Sequence, residues 1–155
     1  MSAQPVYPPP ELQSQLAPAL EQLGTAMASP RGAILFRQGE QSTGVLVVRR
    51  GKVRLSRISA DGRTLSKTVG AGHILGLLAT VSDQPYLKTA EAIADCELVR
   101  VDRVRVMSLL NRRADFWLQA VDVIKTEMKL IRKRVMTANP ARTSAQGGDG
   151  QASSG

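Results

Sequence analysis

At 155 residues and 16.7 kDa the chain has the size of one ordinary domain, and 43% apolar content is enough to build a core, which excludes disorder as its overall state. A single cysteine, Cys96, and a single histidine, His73, exclude an internal disulfide framework, a four-cysteine zinc site, an iron–sulfur cluster held by this chain alone and any site needing two imidazoles. The net charge of +8 is uneven: residues 1–99 carry 10 basic and 8 acidic side chains, residues 100–155 carry 11 and 5. Such a basic C-terminal third suits a nucleic acid, an acidic partner or the solvated face of a helix.

No apolar run approaches the ~18 residues of a membrane helix, and the first ten residues lack the basic and apolar blocks of a signal peptide. Both point to a cytoplasmic chain without a membrane partner. Pro5, Pro8, Pro9 and Pro10 predict an extended arm over residues 1–10. Leu12, Leu16, Leu20, Leu23 and Met27 then recur at helical spacing. Pro18 interrupts that stripe, which predicts two short helices with Pro18 in the first turn of the second.

From residue 33 to 101 the period changes. Ile34-Leu35-Phe36, Val45-Leu46-Val47-Val48, Val53-Arg54-Leu55-Ser56, Leu65 to Val69, Thr89 to Ile93 and Leu98 to Val101 read as short strands. Turn residues separate them every ~8–12 positions, the pattern of an antiparallel sandwich or barrel. Asp61-Gly62 between alternating runs predicts a hairpin.

After the last strand, Asp102 is placed to cap a short helix with Val106, Leu109 and Leu110 on its apolar face. A longer helix is predicted from about 114 to 137. Along it Trp117, Val121, Ile124, Met128, Ile131 and Val135 are spaced 4, 3, 4, 3, 4, an a/d seam over nearly three heptads. Phe116, Ala120, Val123 and Leu130 widen the stripe. The seam predicts a dimer, and the alternative is that the whole stripe lies on the β-core. Asn139-Pro140 ends the helix, and residues 139–155, rich in Gly, Ser, Ala and Gln, read as a disordered tail.

Three stretches carry a family resemblance: Ile34-Leu35-Phe36-Arg37-Gln38-Gly39-Glu40, Leu46 through Leu55 around Gly51, and Gly72-His73-Ile74-Leu75-Gly76-Leu77-Leu78. Together they resemble the cyclic-nucleotide-binding domain, and more closely the sensor half of the Crp/Fnr bacterial transcription regulators. The resemblance spans roughly residues 12–138 and gains its specificity from the ordered glycines 39, 51, 72 and 76. It implies a mainly β fold: an antiparallel jelly-roll-like β-roll with flanking short helices over residues 11–111, and a dimerisation helix over 112–138. It also implies tight corners at Gly39, Gly51 and Gly72, and a phosphate cassette at Gly76, Leu77 and Leu78, closed by Lys88, Thr89 and Ala90.

Several positions depart from the family pattern. Members that hold a cyclic nucleotide carry a glutamate after the cassette glycine, where this chain has Leu77, and an arginine where it has Lys88. Lysine supplies a point charge without the bidentate fork. Where members specific for cyclic AMP place hydroxyls on the long helix, this chain reads Leu130-Ile131-Arg132. The expectation is a non-enzymatic, effector-sensing domain in transcriptional regulation, with a degenerate pocket for which cAMP or cGMP is the first ligand to test. Its partner is a second copy or a full-length relative, and sequence-specific DNA binding by this chain alone is not expected. A second reading is a regulator that holds nucleic acid non-specifically through Arg132-Lys133-Arg134 and Arg142. A cupin-type metalloenzyme is excluded by the single histidine. Cys96 reads as a structural thiol and His73 as a surface residue beside a turn.

Overall fold

The computed structural model describes residues 10–138, with side chains from 15 to 128. The arm of residues 1–9, the tail of 139–155 and the side chains of Leu130, Ile131, Arg132, Lys133, Arg134, Val135 and Arg142 lie outside the described residues. The elements run α1 (Pro10–Glu21), β1 (Thr25–Ser29), β2 (Ile34–Phe36), β3 (Gly44–Arg50), β4 (Val53–Ile58), β5 (Thr64–Val69) and β6 (Ile74–Leu75), then α2 (Leu77–Ser82), β7 (Thr89–Ala92), β8 (Cys96–Asp102), α3 (Arg103–Arg112) and α4 (Ala114–Ala138). Helix α4 crosses the boundary between two compact units, Met1–Ile124 and Lys125–Gly155, and the strands belong to the first.

Two four-stranded antiparallel sheets face each other, one ordered β1-β8-β3-β6 and the other β2-β7-β4-β5. This is the predicted jelly-roll-like roll. Alternation along β3 explains why its run is apolar throughout: Val45 and Val47 enter one core cluster, Leu46 and Val48 the other. The second cluster fills the space between the sheets with Phe36, Val53, Leu75, Ala90 and Leu98. The first lies between β3 and β8 and the helices, where Leu16 and Leu20 of α1, Val106 and Leu110 of α3, and Phe116 and Ala120 of α4 are buried. Asp102 caps α3 as predicted, its carboxylate accepting from the Arg105 amide at 3.0 Å. The Asp61-Gly62 hairpin forms with Ile58 opposite Thr64.

The N-terminal region differs from the sequence expectation twice. α1 is one helix with Pro18 inside it. Proline in a helix interior costs ~3 kcal/mol, and the burial of Leu16, Ala17 and Leu20 in the core outweighs it. Met27, placed by its spacing on the helical face, instead lies in β1 opposite Leu98 and is 38% exposed. The helical stripe ends at Leu23 because the chain then runs against β8: a Cβ at Gly24 would stand 2.4 Å from the Arg100 carbonyl oxygen. β6, of two residues, is too short to leave a period in the sequence.

Candidate functional site

The site is built from α2, the loop that carries the chain from α2 to β7, the loop after β2 and the end of β4. Gly76 precedes α2 in the left-handed conformation (φ 83°, ψ 19°). A Cβ there would stand 2.8 Å from Cε1 of Tyr86, so the glycine makes room for that ring. Tyr86 is buried and fixed on three sides. Its hydroxyl donates to the Gly44 carbonyl at 2.8 Å and accepts from the Thr43 amide at 3.2 Å, and its ring stacks on Phe36 with centroids 4.0 Å apart. Backbone hydrogen bonds from Gly39 to Tyr86 and from Tyr86 to Glu40 then zip the two loops together.

A half-open cavity of about 460 Å³ lies between these loops, lined in part by Gln38, Arg57, Leu78, Ser82, Gln84 and Leu87. That volume suits a small-molecule ligand. The sequence-predicted residues divide around it. Leu78 lines the cavity. Leu77 is fully buried among the helix-side apolar residues, and Ala90 is fully buried between the sheets. Thr89 begins β7, and its hydroxyl accepts from the Gln38 amide at 2.9 Å. Lys88 is half-buried just before it. Gly76 meets Tyr86 as described.

Tyr86, Gln38 and Arg57 were not foreseen. One signal was available for Arg57: it shares the period-two register of Val53 and Leu55, both turned to the inter-sheet core. Tyr86 carries no signal in the sequence beyond being aromatic in a chain with few aromatic residues.

Cys96 is buried, its thiol placed against the Lys52 and Ala94 carbonyls at 3.3 Å each, which suits a structural role. His73 lies beside the Gly72 turn. Its pKa is held below the ordinary 6.5, first by loss of water around the ring; a backbone hydrogen bond at Gly70 opposes this, and the charge of Lys67 adds to the lowering. The unfolded chain takes up the proton more readily, so stability is expected to fall as pH drops through 6.5. In urea unfolding from about pH 7.5 to about pH 5.5, His73→Gln should flatten that slope, and an unaltered slope would remove His73 as its source.

Along α4, Phe116 and Ala120 are buried, while Trp117, Val123 and Ile124 pack partly on the helix-side core. Val121 is 39% exposed and Leu118 69%. Met128 is 45% exposed. Among the described residues no group of His, Cys, Asp or Glu gathers to hold a metal ion, and no helix is long and apolar enough to cross a membrane.

The class these observations define is a two-sheet β-roll with a short helix beside a half-open cavity. The family model of the cyclic nucleotide-binding domain matches residues 27–113, more than half of the chain, and the chain belongs to that family, in the form carried by Crp/Fnr regulators. Similar proteins include the anaerobic regulatory protein of Bacillus subtilis, 20% identical over 126 residues, which cover 80% of this chain and 53% of that protein. The CRP-like cAMP-activated global transcriptional regulator of Mycobacterium tuberculosis is 27% identical over 101 residues, 64% of this chain and 45% of that one. The lysophospholipase nte1 of Neurospora crassa is 27% identical over 99 residues, 63% of this chain and 6% of the enzyme. Among solved structures, the catabolite activator protein of Thermus thermophilus matches with a TM-score of 0.68 at 21% identity, covering 86% of this chain and 61% of that one. The chain thus spans about half the length of the two regulators and a small fraction of the lysophospholipase.

Proposed function

We propose that this chain is a non-catalytic effector-sensing module of transcriptional regulation, acting in the cytoplasm as a dimer through the α4 seam, with a pocket that has lost the means to hold a cyclic nucleotide tightly. The regulators among its relatives support the sensing role. The observation that carries the degenerate pocket is Leu77. Nucleotide-holding members carry a carboxylate there to accept from the ribose, whereas this side chain is apolar and packs wholly into the helix-side core. The Thr89 hydroxyl, a phosphate partner by resemblance, accepts from the Gln38 amide and keeps its own O–H to donate. By resemblance, the position that supplies the guanidinium fork to a cyclic nucleotide is here Lys88, a point charge without bidentate geometry.

Calorimetric titration with cyclic AMP, cyclic GMP and cyclic di-GMP tests the reading. Binding weaker than ~100 μM to all three is expected. A dissociation constant below ~1 μM for any of them, equivalent to about −8 kcal/mol, would overturn the degenerate pocket. Thermal unfolding gives the parallel check, because ligand at ~100 times its dissociation constant adds about 2.7 kcal/mol to stability.

A further inference from the structure

Arg57 is the one charged residue lining the cavity beside α2. Its direction follows from the strand: Val53 and Leu55 of β4 face the inter-sheet core, so the next residue in that register turns inward as well. Arg54, on the opposite face, pairs with Glu91 at 3.4 Å. Arg57 is half-buried and, among the described residues, has no ion pair or hydrogen bond through its guanidinium. No carboxylate lines the cavity to neutralise it. Lys67, opposite Leu55 on β5, shares the inward register and adds a second positive charge to that face. A half-buried cation without a counter-charge loses hydration and gains nothing in return, so the cavity favours an anion.

The rim is ordered around this residue. β7 pairs with β4 only as far as Ser56 opposite Thr89, leaving the last residues of β4 without that neighbour. The Gln38 side chain takes its place: its amide nitrogen donates to the Ile58 carbonyl at 3.2 Å, and its oxygen accepts from the Ile58 amide at 2.9 Å. The gap left by β7 is therefore framed by a fixed loop. The remaining lining is largely apolar, with Leu78, Ala79, Pro85 and Leu87 beside the guanidinium.

We infer that Arg57 anchors a small organic anion in this cavity, a phosphate or carboxylate group on an apolar body, with the body seated against Leu78 and Leu87. The inference builds on the effector-sensing reading and places the charge anchor on β4. An arginine offers two parallel N–H donors to either anion.

The test is an amide NMR titration of the full chain with phenyl phosphate, benzoate and the neutral benzyl alcohol. Phenyl phosphate or benzoate is expected to shift the Gln38, Gly39, Leu78 and Leu87 amides. Arg57→Gln should weaken that binding by roughly tenfold to a hundredfold, leaving benzyl alcohol unaffected. The stronger of the two anions assigns the headgroup. Circular dichroism of Arg57→Gln confirms the fold, and Arg57→Lys, which keeps charge without the fork, should fall between. Binding undiminished in Arg57→Gln would overturn the anchor while leaving a ligand-receiving roll. Silence of these amides to both anions would overturn the cavity site, whereas the sensing reading is judged separately by the nucleotide titrations.

Discussion

Gly51→Ala is expected to destabilise the domain by more than ~3 kcal/mol, seen as a large drop in the urea midpoint. Gly51 joins β3 to β4 with φ +105°, a region that L-residues enter at a cost of ~1–2 kcal/mol even in its best part. Sterics add to this, because a Cβ would stand 2.6 Å from the Asp95 carbonyl oxygen, 2.7 Å from the Cys96 Sγ and 2.9 Å from the Cys96 Cα. Two of those atoms are backbone and cannot swing aside. Relief would have to move the start of β8, where Cys96 pairs with Ser29 of β1, and would disturb the sheet at its centre. Gly62→Ala separates the two contributions: its φ is +86° but nothing lies within 4 Å of the added methyl. It should cost only ~1 kcal/mol. Equal midpoints for the two variants would show that contact with β8 does not set the cost at Gly51.

That corner was legible in the sequence as a turn; its contact with residues 95 and 96 was not. The same division holds elsewhere. β4 and β5 were readable because alternation and Asp61-Gly62 are local signals, and each strand turns one face to an apolar core. β1 was not, because four of its five residues are exposed and only Ser29 is buried, so no alternation marks it as a strand. Met27 then extended a helical spacing by coincidence. Pro18 has a known local cost, so the sequence predicts a break in α1, whereas the burial that offsets it comes from strands and helices far away in sequence. At the site, the resemblance points to Gly76 and Leu78, and the structure has Gly76 in a left-handed turn before α2 and Leu78 in the cavity lining. It does not point to Tyr86 or Gln38, since their roles depend on two loops, near residues 38 and 86, meeting in space. Arg57 sits between these cases, readable in principle from the period of β4 but informative only once the cavity beside it is known.

Leu118→Glu combined with Val121→Glu is expected to turn a dimer into a monomer in sedimentation, weakening self-association by at least ~100-fold. The choice follows from the way α4 divides its surface. Phe116 and Ala120 hold the helix to the core, and Trp117 and Ile124 pack partly on it, with the Trp117 indole donating to Asn111 at 3.1 Å. Ile124→Asp would therefore damage the fold along with any interface, and loss of the dimer in that variant would carry no weight. Leu118 and Val121 are the exposed large apolar residues on this part of the helix. Charges placed there stay hydrated in a monomer and are desolvated only when a second helix covers them. Helical circular dichroism and the thermal midpoint of the diluted monomer should match those of the parent chain. A sedimentation coefficient identical to that of the parent would show that the seam does not hold two copies together. The half-covered Trp117 and Ile124 would then be the edge of a helix docked on its own roll, and any coupling between cavity and partner would have to leave the roll by another surface.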